Sequence, residues 1–157
     1  MTHLRSHRLV QTRYVRNAFD GEGARLYGGR WNSLGTPMVY TAQSLALAAM
    51  ELLVHLNSRR ALEQRYQFLV AEFPEKLCRQ VQEFYRNPRD WAADPARLSS
   101  MRLGDRWVRE GKSAVLAVPS AVIRDEWNYL INPKHPDFIE IEVDKTKPFQ
   151  FDARLEG

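Results

Sequence analysis

One carboxylate stands inside an otherwise apolar stretch of the sequence. Residues 45–54 read LALAAMELLV, with Glu51 the only ionisable side chain among them. At 100° per residue this stretch is apolar nearly all round, which is typical of a buried helix. A buried carboxylate is costly unless a cation or hydrogen-bond donors stabilise it. Glu51 therefore either has a polar partner or emerges into solvent at the less apolar flank, and spacing alone leaves both open.

An arginine behind two glycines is the plausible partner. The segment GGRWN contains Gly28, Gly29 and Arg30. Paired glycines let the backbone approach a ligand closely or adopt a positive φ. A short strand at residues 38–41 would return the chain to the helix, so we expect Arg30 to pair with Glu51. Trp31 could wall a pocket, although a core position is the commoner one for tryptophan.

A second group of polar residues lies in the segment VPSAVIRDEWNYLINPKHPDF, residues 118–138. Ser120 would stand at the exit of a strand, with its hydroxyl either free to act or capping a helix. Asn128 and Asn132 flank an apolar triplet, where such residues hold a loop or bind a ligand's hydroxyl groups. Because the serine lacks a GxSxG context, serine-hydrolase chemistry is disfavoured.

The elements that position these residues follow from apolar runs and turn residues. We predict strands near residues 8–14, 38–41, 66–73, 114–118, 138–143 and 149–152. We also predict a helix capped by Ser44 that runs to about Leu56, and another capped by Ser99 or Ser100 that ends near Gly111. Residues 86–100 read as an irregular surface excursion. Strands in mixed order with few helices predict an α+β fold with a mixed sheet.

Composition predicts a folded chain with one domain over residues 1–157. The hydrophobic fraction is 44% and the charged fraction 27%, both close to globular averages. The longest apolar run is too short to cross a bilayer, and the amino terminus lacks a signal-peptide core. One cysteine, Cys78, and four scattered histidines predict neither a disulfide nor a metal site. We therefore expect a cytoplasmic protein without a membrane partner.

The positive charge is concentrated near the amino terminus. Residues 1–30 hold six arginines against two carboxylates, whereas the rest of the chain is balanced. Guanidinium groups bind phosphate oxygens bidentately, so this excess suits one phosphorylated ligand as well as a nucleic acid. A solvated basic surface is the plainer interpretation.

Taken together, these segments resemble the RES domain, a family named for an arginine, a glutamate and a serine and known mainly as bacterial toxins. The matching pieces are HRLV, the block FDGEGARLYGGRWNSLGTPMVYTAQSLALAAMELLVHL, the segment at residues 118–138, and PFQFDARL. Arg30, Glu51 and Ser120 fall on the three naming positions. By the same resemblance Arg8 and Tyr40 are further pocket residues, with Arg13 the alternative to Arg8. Asn128 lies in a shared block and is assigned to substrate binding.

The resemblance implies a fold similar to ADP-ribosyltransferases and an activity that degrades NAD. Phosphate would attack the ribose carbon bonded to nicotinamide, giving nicotinamide and ADP-ribose 1″-phosphate, or water would take its place. NAD and inorganic phosphate are then substrates, and no cofactor is needed. The implied partner is a cognate Xre-like DNA-binding antitoxin, and no direct nucleic-acid binding is expected.

Two other functions compete with this one. The first is an RNA-binding or RNA-cleaving toxin that uses the basic amino terminus with His7 or His55 for acid–base chemistry. The second is a non-catalytic module that holds a nucleotide without turning it over.

Overall fold

The computed structural model describes residues 2–56 and 58–156. Within them the chain forms eight β-strands, which in sequence order are β1 His3–Gln11, β2 Val39–Ala42, β3 Tyr66–Pro74, β4 Cys78–Gln80, β5 Val115–Pro119, β6 Trp127–Ile131, β7 Glu142–Val143 and β8 Lys147–Phe149. Four α-helices accompany them: α1 Glu22–Tyr27, α2 Leu45–His55, α3 Arg59–Leu62 and α4 Leu98–Glu110. In these described ranges no helix is both long and apolar enough to cross a membrane.

All eight strands belong to one mixed sheet. Its order is β4-β5-β6-β2-β1-β3-β7, with β8 also paired to β3. The pairs are antiparallel except for β4 beside β5, which are parallel. Strand β1 pairs with β3 along its whole length, whereas its pairing with β2 is recorded only between His7 and Ala42. The sheet therefore consists of two halves that diverge between β1 and β2, and the predicted α+β fold with a mixed sheet is confirmed.

Helix α2 begins where the sequence predicted. The Ser44 hydroxyl accepts a hydrogen bond from the backbone N–H of Leu47, which stabilises the first turn. The prediction that this helix is buried all round is wrong, because Leu47 is its only buried residue and Val54 is 56% exposed. The helix packs one side against β1 and β2 and presents the other side outward.

Helix α4 ends as predicted but begins differently. It stops at Gly111, whose φ of 62° is the left-handed conformation that favours glycine. Neither predicted serine caps it, since Arg97 occupies the N-cap position. In its middle, Gly104 packs against the Trp31 carbonyl so closely that a Cβ there would lie 1.6 Å from the oxygen. Helix α4 is thereby pressed onto the segment that carries Arg30.

The core has two main clusters. One centres on Trp31, Trp107 and Leu130, and the other on Phe73 and Ile131. Neighbouring residues of one strand point to opposite faces, so Leu130 and Ile131 place the clusters on opposite sides of β6. Trp31 is 2% exposed, which confirms the core interpretation of this residue.

The predicted strands at residues 38–41, 66–73 and 114–118 are confirmed within one or two residues. The strand predicted at residues 8–14 starts earlier and ends at Gln11, where a 3₁₀ turn, Thr12–Asn17, takes over. The predicted strand at residues 149–152 is wrong, because β8 precedes it and ends at Phe149. Strands β4 and β6 were missed.

The strand predicted from the alternating run FIEIEV is also wrong. A 3₁₀ turn, Pro136–Glu140, occupies its first half, and only Glu142–Val143 pairs with β3. The His135 ring accepts a hydrogen bond from the Asp137 N–H and stabilises the turn. Ile139 is consequently 88% exposed, although the alternation would have placed it beside buried Ile141.

Candidate active site

The carboxylate of Glu51 is held by two side chains from distant parts of the sequence. Its Oε2 accepts a hydrogen bond from the Ser120 hydroxyl at 2.8 Å, and its Oε1 accepts one from the Asn128 amide at 2.9 Å. The Asn128 amide also donates to the Thr41 carbonyl at 3.2 Å. A carboxylate with two donors is oriented in a fixed direction, and this arrangement forms the centre of the candidate site.

Strand register explains why these residues meet. Asn128 on β6 lies opposite Ala42 on β2 and Val118 on β5. Two residues beyond Val118, the Ser120 N–H donates to the Glu126 carbonyl and continues the pairing of the same two strands. Side chains two residues apart share a face of the sheet, so Ser120 and Asn128 point the same way. Helix α2 follows β2 closely in the chain and brings Glu51 to that face.

Burial raises the pKa of Glu51 above the usual value for a glutamate. The hydrogen bonds from Asn128 and Ser120 and the nearby His55 act in the opposite direction, whereas Glu126 raises the pKa further. Removing water from a carboxylate disfavours its charged form, which is the dominant cause here. Such a group interacts strongly with a cation that enters the site, because little water screens it.

The Ser120 hydroxyl is not free, contrary to one of the two sequence-based interpretations. Ser120 is fully buried, and its Oγ accepts from the N–H groups of Val122 and Ile123 at 3.1 and 3.2 Å. Because these two bonds use the acceptor side of the oxygen, its proton is directed to Glu51. No helix follows, so the residue caps a turn and not a helix. Ser120 therefore orients the carboxylate and fixes the turn at once.

The predicted ion pair between Arg30 and Glu51 is wrong. Within the described residues, Nη1 of Arg30 donates to the carbonyl oxygens of Trp91 and Ala93, at 2.9 and 2.7 Å, and no ion pair joins it to Glu51. The backbone carbonyl of Arg30 accepts from the Ser100 hydroxyl. Arg30 thus anchors the irregular segment that the sequence predicted at residues 86–100, of which 98–100 belong to α4.

The glycines before Arg30 are explained by the chain itself. Gly28 has a φ of 74°, a conformation that L residues rarely adopt. A Cβ on Gly29 would lie 2.6 Å from the hydroxyl oxygen of Tyr40. The close approach of Gly29 is therefore to the side chain of Tyr40.

Tyr40 supports the loop that carries Arg30. Its hydroxyl donates to the Asn32 side chain at 2.6 Å and accepts from the Trp31 N–H at 2.9 Å. Burial raises the pKa of this hydroxyl well above its usual value, so it stays protonated. Asn32, which is fully buried and also donates to the Ala24 and Thr36 carbonyls, was missed by sequence reasoning. The short spacing of Asn32 and Tyr40 in the sequence was the signal that could have indicated their contact. A contact of Tyr40 with the substrate stays a prediction.

Arg8 lies next to Tyr40 along the strands. Its Nη1 donates to the Tyr40 carbonyl at 3.0 Å, while its buried Nε has no partner among the described residues. Burial lowers the pKa of Arg8 to about 10, and nearby Asp20 acts against that change. The group therefore remains a cation at neutral pH. The alternative, Arg13, is exposed and lies over the Tyr14 ring, 4.8 Å from its centroid.

Arg8 and Glu51 are connected through neighbouring atoms of β2. The Arg8 guanidinium binds the carbonyl of Tyr40, and the Asn128 amide that holds Glu51 binds the next carbonyl, that of Thr41. A buried cation with spare donors and a desolvated carboxylate are thus anchored to consecutive residues.

Side chains suited to metal binding are not gathered here. Across residues 2–56 and 58–156, no group of three or more histidine, cysteine or carboxylate side chains is placed to hold a metal ion.

The fold is that of a single α+β protein with a mixed sheet, and the site is built around one buried carboxylate. The chain shares its fold with a chain of the solved MbcT–MbcA toxin–antitoxin complex of M. tuberculosis, with a TM-score of 0.73 and 17% sequence identity over 99% of this chain and 87% of that one. The family model described as "RES domain" matches residues 5–152. The chain belongs to the RES domain family, as its sequence segments indicated.

Curated relatives agree with this assignment. The protein named "Toxin Res" of Photorhabdus laumondii is 37% identical over 150 residues, which cover 95% of each chain. The "Prs ADP-ribosylating toxin" of a Sphingobium species is 37% identical over 144 residues, covering 90% of this chain and 89% of the relative. The extent of the domain, residues 1–157, and the cytoplasmic location stay predictions, as do the substrate roles of the six site residues.

Proposed function

We propose that this RES-domain protein is the toxin of a toxin–antitoxin system and that it degrades NAD, with phosphate as the acceptor of the ADP-ribosyl group. The observation that carries the proposal is the desolvated carboxylate of Glu51, held by Ser120 and Asn128. The names of the relatives support it, since one of them is an ADP-ribosylating toxin and ADP-ribosylation uses NAD.

The reaction breaks the bond between C1″ of the ribose and the nicotinamide nitrogen. The bonding electrons move to nicotinamide, which leaves neutral, and positive charge builds on the ribose as in glycoside hydrolysis. A phosphate oxygen then bonds to C1″ and gives ADP-ribose 1″-phosphate, with one proton released overall. Because positive charge moves from the nicotinamide ring to the ribose, a carboxylate placed beside the ribose lowers the barrier.

Glu51 is suited to that task because its neighbours donate to it and do not neutralise it. Ser120 and Asn128 fix its direction, so little reorganisation is needed as the ribose becomes positive. Had Arg30 formed an ion pair with Glu51, the carboxylate would already have been compensated. The geometry therefore supports direct electrostatic stabilisation, or acceptance of hydrogen bonds from the ribose hydroxyls.

Arg8 is the residue that we assign to the pyrophosphate of NAD. Its Nη1 donates one hydrogen bond to the Tyr40 carbonyl, and its Nε–H has no partner among the described residues. A buried donor without a partner is costly, and a phosphate oxygen would satisfy it. Tyr40 supports the same region through Asn32 and would act by position.

The direct test is release of nicotinamide from NAD by protein purified free of any antitoxin, with and without inorganic phosphate. We expect release that depends on phosphate and is strongly slowed in Glu51→Gln. If nicotinamide is released at the same rate without phosphate, water and not phosphate is the acceptor of the ADP-ribosyl group. If NAD binds but no nicotinamide is released in either condition, the protein is a non-catalytic nucleotide-binding module. Cleavage of RNA in place of NAD would identify it as an RNA-cleaving toxin.

A second acceptor is favoured by one relative. The Sphingobium protein is named "Prs ADP-ribosylating toxin", so in that relative the acceptor is Prs and not phosphate. If this chain does the same, ADP-ribose will appear covalently on a protein target, and nicotinamide release will depend on that target and not on phosphate.

The proposed partner is an antitoxin with an Xre-like DNA-binding domain. The support is the shared fold with a chain of a solved toxin–antitoxin complex. Co-expression with the neighbouring gene and co-purification as one complex would test it, and a toxin that purifies alone with full toxicity in its presence would contradict it.

A further inference from the structure

Two arginines that are distant in the sequence meet at Trp91. Nη1 of Arg30 donates to the Trp91 carbonyl at 2.9 Å, and Cζ of Arg124 lies 6.0 Å from the centroid of the Trp91 ring. Trp91 itself stacks on buried Trp31, with the ring centroids 6.4 Å apart and an interplanar angle of 21°. The core therefore fixes the residue that contacts both arginines, Arg30 through its backbone carbonyl and Arg124 through its ring.

Arg30 keeps most of its donors free. A guanidinium carries five N–H groups, of which two are on Nη1. These two are directed at the carbonyls of Trp91 and Ala93. For the other three, on Nε and Nη2, the described residues offer no recorded acceptor. Arg30 is thus locked in position with unused donors.

Arg124 is in a similar state. Stacking over an aromatic ring uses the face of a guanidinium and leaves the N–H groups, which lie in its plane, available. Asp125 and Glu126 follow Arg124 in the chain, yet the ion pairs recorded for the described residues include neither with it. Both arginines thus contact Trp91 without a recorded carboxylate partner among the described residues, and an anion placed between them would be attracted by two positive charges.

The loop of Arg124 connects this place to Glu51. It starts at Ser120, whose Oγ holds the N–H groups of Val122 and Ile123 and donates to Glu51. The Ser120 N–H bonds to the Glu126 carbonyl at 2.8 Å and closes the loop on itself. Arg124 therefore projects from a loop that is fixed at the residue orienting the Glu51 carboxylate.

We propose that Arg30 and Arg124 form a phosphate subsite against Trp91, in which their free N–H groups bind one oxyanion beside the Glu51 cluster. The subsite deepens the proposed function and rests on it for the identity of the ligand. The shared chemistry is a phosphate oxyanion, whose source is either the free phosphate acceptor or the pyrophosphate of NAD. Arg124 is the specificity-determining residue, and Trp91 positions it.

The first experiment measures phosphate binding without turnover. Tryptophan emission of the full chain is followed during titration with inorganic phosphate and with pyrophosphate. We expect a saturable change that Trp91→Phe removes and that Arg124→Ala weakens at least tenfold in Kd. The matched control is Arg106→Ala, which also removes a guanidinium from an aromatic ring, that of Tyr85 at 4.9 Å. Equal affinities in the wild type and Arg124→Ala would overturn the subsite whether or not NAD is consumed.

The second experiment identifies the source of the oxyanion. In steady-state NAD turnover, a raised KM for phosphate in Arg124→Ala with an unchanged KM for NAD assigns the subsite to the acceptor. The reverse pattern assigns it to the pyrophosphate. Arg124→Lys keeps the charge but not the planar pair of donors. We therefore expect the affected KM of this variant to lie between the values of the wild type and Arg124→Ala. Wild-type values of both constants in Arg124→Ala would contradict the proposal, because Arg124 is exposed and its loss does not disturb the core.

Discussion

The Asn128 amide donates to the Glu51 carboxylate at 2.9 Å and to the Thr41 carbonyl at 3.2 Å. One side chain on β6 thus connects the carboxylate on α2 to the backbone of β2. Because the backbone of a central strand is rigid, the amide transmits that rigidity to Glu51. The position of the carboxylate is therefore set by the sheet, and the helix only delivers it.

Replacing Glu51 by glutamine should remove one electrostatic group from the transition state. We expect a loss in kcat of roughly 30- to 160-fold, corresponding to about 2–3 kcal/mol. Glu126→Gln is the matched control, since it removes a neighbouring carboxylate that raises the pKa of Glu51. Full turnover in Glu51→Gln would exclude Glu51 from the mechanism.

The raised pKa of Glu51 predicts the acid side of the pH profile. The ionised form is the active one, so activity falls as the pH drops through the raised pKa, which lies above the usual 4.5. The Asn128 hydrogen bond lowers this pKa, and Asn128→Ala should therefore move the acid limb to higher pH. The measurement is kcat/KM against pH for both proteins. An acid limb that stays in place, or moves to lower pH, would be inconsistent with Asn128 stabilising the charged form.

Arg30→Ala should detach the segment around Trp91 and leave the Glu51 carboxylate unaffected. Two hydrogen bonds to a charged group are lost, for which a destabilisation of about 1.5–3 kcal/mol is expected. Limited proteolysis should cut within residues 86–97 faster than in the wild type. A double-mutant cycle with Glu51→Gln in denaturant unfolding separates the two roles, because side chains without a shared contact should add. A coupling energy of more than about 1 kcal/mol would instead indicate that Arg30 and Glu51 interact, contrary to the structure.

Tyr40→Phe tests whether Tyr40 acts by position or by binding. The change leaves the Trp31 N–H and the Asn32 oxygen without the hydroxyl, which should cost about 1–3 kcal/mol of unfolding free energy. If Tyr40 acts through the loop alone, the KM for NAD stays at the wild-type value at a temperature where the variant is folded. A raised KM with unchanged stability would instead make the hydroxyl a substrate contact.

Two glycines allow a test of packing against the Arg30 segment. Gly104→Ala would place a Cβ 1.6 Å from the Trp31 carbonyl oxygen, so α4 must move and the protein should lose several kcal/mol or fail to fold. Gly23→Ala meets nothing within 4 Å and lies in helix α1, so it should be neutral or stabilising by up to about 1 kcal/mol. The comparison is made by thermal unfolding. Similar stabilities for the two variants would mean that α4 does not rest on Trp31 as described.

Local chemistry made part of this structure predictable. The hydroxyl of Ser44 caps α2 and Gly111 ends α4, because each of these features depends on a few neighbouring residues. The alternation of FIEIEV misled, since the turn stabilised by His135 overrides a pattern that has no strand partner over its first half. Strand β6 was missed because Asn128 and Asn132 resemble loop residues when their partners are unknown.

Long-range contacts limit how much of the candidate site can be predicted from the sequence. Sequence reasoning selected Glu51, Ser120 and Asn128 but joined Glu51 to the wrong partner. Arg30, which follows two glycines, seemed suitable on charge alone, whereas strand register brings a hydroxyl and an amide to the carboxylate. Nothing local indicates that Trp91 and Ala93 offer their carbonyls to Arg30. The identity of a buried group's partner is a tertiary property, and the need for a partner is a local one.

The proposed function depends most on the transfer of ADP-ribose from NAD to phosphate at this site. Phosphorus NMR of NAD incubated with the purified protein and inorganic phosphate tests it directly. We predict replacement of the NAD pyrophosphate resonances by those of ADP-ribose 1″-phosphate, growth of a new phosphomonoester resonance at the same rate, and both changes slowed roughly 30- to 160-fold with Glu51→Gln. Unchanged NAD in the presence of folded, antitoxin-free protein would contradict the account, and free ADP-ribose without the phosphomonoester would contradict the choice of acceptor.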